Sequence, residues 1–361
     1  MMDGITKITS DARFRLARSL MTSGGGGGGT TNNNNSSDSL EGAIDIFASL
    51  LEETRTTCGE TSLTAALCYY EYGNALFRAV VRRKPLDSEH EKREEEDRKP
   101  AAANPSASAA RKRSLDDDNA KEPDPAVSNK KAKMDNNNND DEDDNDKDDI
   151  DLALDMLSTS FSIFDWHSTD DDDNTKTEPD QEGKQYSLSQ IPRVLSTIGD
   201  IHSYCGKYGD AVDAYCRALP YRENAVEERQ QAKGKGESLS VDDLKGQRLL
   251  VETYALVAEA LLACKEGEDV VCVNDEENEE DDKKSGKNTE GKVLVAAKDR
   301  IDFAESHYDT AREKLQDIVY QMGKMAAAKI DLGDEKKDIG YLVMMLVGIG
   351  NPLEPLKTKR S

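Results

Sequence analysis

The chain has 361 residues, with 73 acidic against 48 basic side chains and a net charge of −25. A chain this acidic repels nucleic acid and membrane surfaces and attracts basic partners, so we expect no direct contact with nucleic acid and none with a membrane. Hydrophobic residues make up 36% of the chain and aromatic residues 5%, which is too little for a protein that is folded throughout.

The cysteines and histidines exclude several classes of site. The six cysteines lie at positions 58, 68, 205, 216, 264 and 272 and show no Cys-x-x-Cys spacing. This pattern predicts reduced thiols, most of them in the core, in a cytosolic or nuclear protein rather than a metal site. The glycine run lacks the Lys-Ser/Thr pair of a phosphate-binding loop, and four histidines are too sparse for a catalytic group. We therefore expect no enzymatic activity and no cofactor.

The N-terminal segment, residues 3–22, is predicted to be a first helix. Four apolar residues recur on one face at helical spacing: Ala12, Leu16, Ala17 and Leu20. The segment is also basic, rich in Ser and Thr and poor in acids, so a targeting segment stays as the alternative. Residues 24–39 contain six consecutive glycines and four consecutive asparagines and are predicted to be a flexible insert.

Two amphipathic helices are predicted next, at residues 40–55 and 63–83. The first repeats apolar residues at i, i+3, i+4 and i+7: Ala43, Ile44, Phe47, Leu50 and Leu51. The second carries Tyr69, Tyr72 and the small Gly73, at which a neighbouring helix can approach closely.

Residues 84–149 are predicted to be a disordered acidic insert. Proline, alanine, asparagine and charge runs fill this stretch, and such a composition cannot offset chain entropy by burial. Its last part contains the acidic residues Asp140, Asp141, Glu142, Asp143 and Asp144. A helix is expected to resume at Ile150, with Ala153 and Leu157 on its buried face.

The stretch at 192–224 is the most specific in the chain. Small residues recur where two antiparallel helices would approach closely, and large residues recur where they would fill the space between them: Leu195, Gly199, Ala211, Tyr215 and Ala218. This spacing is that of a tetratricopeptide repeat. One such hairpin cannot bury its own apolar face, so about three or more are needed.

A fourth hairpin is predicted around a second acidic insert. Its first helix covers residues 247–264, the insert spans 265–292, and the second helix resumes with Ala304, Tyr308 and Ala311. The predicted fold is therefore all-α: a tetratricopeptide-repeat solenoid of about four helical hairpins, interrupted by disordered acidic loops and closed by a capping helix at 338–349. The predicted divisions are 1–83, 84–149, 150–264, 265–292, 293–349 and a basic tail at 350–361.

The chain resembles the NASP (nuclear autoantigenic sperm protein) family of histone chaperones, whose tetratricopeptide repeats are interrupted. The motifs that carry the resemblance are CYYEYGNALFRA at 68–79, DIDLALDML at 149–157 and QRLLVETYALVAEALL at 247–262. The resemblance covers about 40–330 with gaps, and the inserts at 24–39 and 265–292 depart from it. It implies binding of core histones, foremost the pair that forms the tetramer, with linker histone as a further candidate. It also implies nucleosome assembly and a nuclear location, with a cytoplasmic pool allowed.

A histone-binding groove is the expected site. Four positions of each first helix should face the concave side of the solenoid: Leu67, Tyr70, Asn74 and Phe77; Arg193, Ser196, Asp200 and Ser203; Glu252, Ala255, Glu259 and Leu262. Carboxylates of Asp200, Glu252 and Glu259 beside apolar ground from Tyr70, Phe77 and Leu262 suit a basic amphipathic helix. The resemblance favours Glu252 most, and the alternative is that these acids are only solvated.

Two further expectations concern partners and location. Lys130, Lys131 and Lys133 predict a nuclear import signal within the acidic insert, with local charge balance as the alternative. The rival function is a tetratricopeptide adaptor or co-chaperone that binds either an acidic C-terminal tail or a basic protein other than a histone. A tail clamp needs cations in the groove, where Arg193 is the only basic residue among the predicted positions. The sequence leaves open whether the chain forms a homodimer.

Overall fold

The computed structural model describes residues 2–22, 34–83, 140–169, 181–233, 240–265, 270–273, 292–296, 299–333 and 335–358. These residues form ten helices and one two-stranded ribbon, so the prediction of an all-α fold class is confirmed apart from the ribbon. The elements are α1 (Met2–Ser10), α2 (Ala12–Thr22), α3 (Asn34–Cys58), α4 (Leu63–Arg83), α5 (Asp140–Ser168), α6 (Gln181–Tyr204), α7 (Tyr208–Ala232), α8 (Val241–Ala263), β1 (Val270–Val273), β2 (Lys292–Val295), α9 (Arg300–Ala327) and α10 (Glu335–Thr358).

The helices from α2 onward pack mainly against their neighbours in the chain. Each of α2 to α8 contacts the helix that follows it, and α10 packs against both α8 and α9. Helix α1 lies against α2 and α4. The apolar core is therefore drawn out along the succession of helices, because each helix buries one face against the helix before it and another against the helix after it.

The α6–α7 pair shows how residue size sets the distance between helices. The ring of Tyr215 lies directly over Gly199, since a Cβ atom added at Gly199 would be 2.4 Å from Tyr215 Cε1. Leu195, Ala211, Tyr215 and Ala218 are all 2% exposed or less. Gly206 has a φ of +70° in the turn between the two helices, a left-handed conformation that glycine adopts without strain.

The α4–α5 pair is built on the same principle. A Cβ atom at Gly73 would be 3.0 Å from the backbone oxygen of Ala153 and 3.0 Å from Leu157 Cγ. Ala153 and Leu157 are fully buried. The hydroxyl of Ser160 donates a 2.8 Å hydrogen bond to the backbone oxygen of Ala66, which ties the two helices together inside the core.

The apolar face predicted for the first helix is right at Ala17, which is buried, and at Leu20, which is partly buried against the core, but it is wrong at Ala12 and Leu16. Helix α2 buries Phe14, Ala17 and Met21, whereas Leu16 is 51% exposed and Ala12 is exposed as well. Phe14 decides the rotation, because its ring makes an edge-to-face contact with Phe47 of α3 at 5.6 Å between centroids. An aromatic side chain buries more apolar surface than leucine does, so it takes the inward position.

Helix α5 begins at Asp140, ten residues before the predicted start at Ile150, so the residues predicted as an acidic loop, Asp140 to Asp144, lie in its first turns. Two ion pairs account for part of the difference. Arg83 at the end of α4 contacts Asp146 at 2.7 Å and Asp149 at 2.8 Å. Acidic residues also stabilise a helix at its N-terminal end, where the helix dipole is positive.

The ribbon was not expected, because β1 lies inside the stretch predicted to be a disordered insert. Strands β1 and β2 pair antiparallel, with Val270 opposite Val295. Both valines are buried in a cluster with Ala211 and Val212 of α7. Packing on a helix supplies the burial that an isolated two-stranded ribbon lacks.

The last helices differ from the prediction mainly in length. A capping box between Ser240 and Asp243 starts α8 at Val241, six residues before the predicted start. Helix α10 runs well beyond the predicted 338–349 and buries Leu342, Leu346 and Ile349 in a cluster with α8 and α9.

We predict that Gly199→Ala destabilises the protein by about 1–3 kcal/mol, because the added methyl group overlaps a buried tyrosine ring that has little room to move. The matched control is Gly323→Ala in α9, where nothing lies within 4 Å of an added Cβ atom. That change should be neutral or stabilise by up to about 1 kcal/mol through helix propensity. Chemical denaturation of both variants measures the difference, and equal free energies of unfolding would contradict the close contact.

Candidate functional site

The three predicted groove carboxylates gather around one tyrosine. The hydroxyl of Tyr215 donates a 2.8 Å hydrogen bond to Asp200 Oδ1. Burial raises the pKa of Tyr215 above its usual range, and the negative charges of Asp200, Glu259 and Glu252 raise it further. The structure therefore brings Asp200 of α6 together with both glutamates of α8.

Asp200 sits at the centre of this arrangement. Part of the residue's surface stays exposed, yet protein atoms surround its carboxyl group on several sides. This burial raises the pKa of Asp200 to about 6, the hydrogen bond from Tyr215 opposes the rise, and the nearby charge of Glu252 adds to it. The carboxyl group therefore changes charge in a range of pH where an isolated aspartate is already ionised.

Arg222 of α7 brings a cation into the site that the sequence analysis missed. Its guanidinium donates to Ser196 Oγ at 2.8 Å and to the backbone oxygen of Leu249. Burial lowers the pKa of Arg222 to about 10, while the charges of Glu252 and Asp200 oppose this effect. Arg193 is thus not the only basic residue here, because the second helix of the hairpin also reaches the site.

Arg248 joins the site to the C-terminal helix. It contacts Glu252 at 3.3 Å within α8, and it contacts Glu335 at 2.9 Å and Asp338 at 3.3 Å on α10. Glu252 is therefore already engaged in an ion pair, which leaves Asp200 and Glu259 as the more accessible carboxylates.

Tyr70 and Phe77, the two apolar residues of α4 that were predicted to line the groove, are buried to different degrees. Tyr70 is only 6% exposed, and the guanidinium of Arg193 lies over its ring at 5.0 Å from the centroid. The prediction that Tyr70 offers an open apolar surface is therefore wrong, because the guanidinium of Arg193 covers the face of its ring in a cation–π contact. Phe77 is half-buried and makes an edge-to-face contact with Tyr204 at 5.8 Å between centroids.

A buried acid beside this region also escaped the sequence analysis. Glu71 of α4 is 3% exposed, and its Oε1 lies 3.4 Å from Arg18 Nε of α2. Burial raises the pKa of Glu71, while the charges of Arg18, Arg193 and Arg78 oppose the rise. The periodicity of α4 gave no sign of this role, since the ion-pair partner Arg18 and the nearby Arg193 come from other helices and only Arg78 lies on α4 itself.

The two remaining groove residues line an open groove of about 560 Å³ between α8 and α10. Glu259 and Leu262 form one wall, and Tyr341, Met345 and Ile349 of α10 form the other. Tyr341 is 69% exposed. Glu259 is also an exposed residue, but protein atoms close to its carboxyl group displace water and raise the pKa of that group. The α10 residues were missed because 338–349 was expected only to cap the helices before it.

The predicted nuclear import signal, Lys130, Lys131 and Lys133, lies outside the residues that the structure describes. Within the described parts of the chain, no helix is long and apolar enough to cross a membrane. The same parts hold no group of three or more His, Cys, Asp or Glu side chains that could bind a metal ion.

The raised pKa of Asp200 predicts a pH dependence of stability. Between its ordinary value of 3.8 and about 6, the folded chain keeps a proton on Asp200 that the unfolded chain has released. The contribution of this group is therefore lost as the pH rises through that window. We expect Asp200→Asn to melt at a higher temperature than the native chain above pH 6, with the difference shrinking towards pH 4.

Thermal melts between pH 4 and pH 8 measure this effect, with Asp317→Asn on the exposed face of α9 as the matched control. A difference between Asp200→Asn and the native chain that is the same at both ends of the range would count against a raised pKa at Asp200.

Similarity to known proteins adds nothing to this geometry. The chain matches no protein-family model, and no curated protein is significantly similar to it.

Proposed function

We propose that this chain is a histone chaperone built on tetratricopeptide repeats, without enzymatic activity, and that it binds histones through the surface between α6, α8 and α10. The observation that carries the proposal is the convergence of Asp200, Glu252 and Glu259 next to the apolar wall formed by α10. Negative charge beside open apolar surface suits a basic amphipathic helix.

The packing of the hairpins supports the proposal of repeats. Glycine lies against a large side chain of the next helix in both α4–α5 and α6–α7. In α8 and α9, Ala258, Ala304 and Ala311 are fully buried, which lets those helices approach closely as well. We infer four hairpins, α2–α3, α4–α5, α6–α7 and α8–α9, with α10 as the capping helix.

The distribution of charge favours a basic ligand over an acidic tail. Arg222 and Arg248 bring positive charge to the site, which is what an adaptor for acidic tails would use. Both guanidinium groups are already engaged, however, the first by Ser196 and a backbone oxygen and the second by three carboxylates. A tail would have to break these contacts, whereas a lysine or arginine can approach the exposed residues Asp200 and Glu259 without doing so.

The identity of the partner rests on the resemblance to NASP chaperones. We propose core histones as ligands, foremost the pair that forms the tetramer, with linker histone as a further ligand. We place the chain in the nucleus with a cytoplasmic pool. The acidic stretches between the helices would attract histones at long range, and the groove would select among them.

Groove and acidic stretches should respond differently to salt. Glu259→Lys should weaken binding of recombinant histone pairs by about 1–2 kcal/mol, and most of that loss should persist at high salt, because Glu259 acts beside apolar contacts. Replacing the acidic residues of 275–282 by serine should weaken binding mainly at low salt, since salt screens long-range attraction between charges over about 8–10 Å.

Calorimetric titrations at two salt concentrations separate these effects. The matched control is Glu41→Lys, which makes the same charge change at an exposed position of α3. If Glu259→Lys and Glu41→Lys have the same effect on histone affinity while the serine replacement abolishes binding, the chain binds histones only through non-specific charge attraction. The groove then has another ligand.

The proposed nuclear location has its own test. Changing Lys130, Lys131 and Lys133 to alanine should reduce nuclear accumulation of a fluorescently tagged chain, because importing receptors recognise exposed basic clusters. Quantitative imaging measures the nuclear fraction. Unchanged accumulation would move the signal elsewhere, for instance to residues 357–360.

A further inference from the structure

The outer face of α5 carries a stripe of mostly exposed residues that the proposed function does not use. Its members recur at intervals of three and four residues, which places them on one face of the helix: Asp148, Asp151, Leu152, Asp155, Thr159, Ser162 and Trp166. The opposite face holds the buried Ala153, Leu157 and Phe164, which pack into the core. The stripe therefore points away from the helices that α5 contacts.

Trp166 is the most unusual residue of the stripe. It is the single tryptophan of the chain, and it is 50% exposed. Its ring makes an edge contact with His167 at 4.5 Å between centroids, and the His167 ring bonds the backbone oxygen of Thr61 at 3.0 Å. These contacts hold the indole at the end of the stripe with half of its surface in solvent.

An open groove of about 640 Å³ runs along this end of the helix. Apolar parts of Met156, Ile163 and Trp166 line it, together with the carboxylate of Asp155 and the turn residue Thr61. A helix rises about 1.5 Å per residue, so the aspartates and the indole share a surface about 27 Å long. One end of this surface is acidic and the other end is apolar.

We propose that this surface, the α5 outer face, is a second docking site for a basic segment of a protein partner. Lysine or arginine side chains of the segment would pair with Asp148, Asp151 and Asp155. An apolar side chain of the same segment would rest on Trp166, whose ring can also hold a cation over its face.

Charge complementarity selects this occupant. Three carboxylates on one face repel nucleic acid and an acidic second copy of the chain, and they attract cations. Tryptophan is among the residues that contribute most at protein interfaces, because it buries a large surface with few rotatable bonds. The inference is independent of the histone-binding proposal, since the α5 outer face shares no residue with the site between α6, α8 and α10.

The single tryptophan makes the test specific, because its fluorescence reports on this surface alone. The probe is a tryptophan-free peptide of 14 residues, about 20 Å long as a helix, made only of leucine and lysine on opposite faces. We expect it to shift the emission of the intact chain to shorter wavelength. A peptide with serine in place of leucine keeps the charge and should bind roughly tenfold more weakly by the same signal.

Variants of the chain then locate the contact. Asp151→Lys combined with Asp155→Lys should weaken the fluorescence-detected binding by roughly tenfold at low salt. Glu259→Lys should leave it unchanged, which separates this inference from the histone-binding proposal. Asp151, Asp155 and Glu259 are all exposed, so these changes leave the core intact.

Several outcomes would overturn the inference. Unchanged emission with the leucine–lysine peptide would remove the docking site. Equal affinity for the two peptides would leave only charge attraction. Emission that shifts with the concentration of the chain itself, without peptide, would assign the surface to a second copy.

One outcome would support both proposals at once: Glu259→Lys loses histone binding but keeps peptide binding at Trp166.

Discussion

The close contact between a glycine on one helix and a large side chain on the next is the constraint on which the rest of the structure depends. At Gly199 the ring of Tyr215 occupies the space that any side chain would need. The contact sets the distance between α6 and α7, and it also aims the hydroxyl of Tyr215 at Asp200. One residue therefore joins the packing of the core to the chemistry of the candidate site.

The site is a balanced cluster of charges rather than a uniformly acidic surface. Arg222 and Arg248 satisfy part of the negative charge of α6 and α8, and they are themselves held by hydroxyl, backbone and carboxylate oxygens. Buried charges are tolerated only when they are paired in this way. The two arginines therefore hold the helices around the groove together, while the exposed residues Asp200 and Glu259 give its solvent-facing surface a negative charge.

Helix α10 and the acidic start of α5 show how ion pairs between helices extend the helical part of the chain beyond the predicted helices. Arg248 holds the first turn of α10, and Arg83 holds the first turns of α5. In both places an arginine on one helix meets acids in the N-terminal part of another. Glu335 and Asp338 lie in the first turn of α10, where the dipole of that helix also favours negative charge. The acidic residues 140–149, which were predicted to belong to a disordered insert, thus form the first part of helix α5.

The sequence by itself determined the helical class, the spacing of small and large residues and the excess of acid, because these depend on residues close together in the chain. It placed Asp200, Glu252 and Glu259 in helices, and it placed the face of α3 correctly. Tertiary structure alone decided which face of α2 is buried, since Phe14 turns inward to meet Phe47. It also decided that Arg193 covers Tyr70, that Arg222 enters the site and that the β1–β2 ribbon packs on α7. These outcomes depend on partners far away in the chain, and periodicity within a single helix carries no information about them.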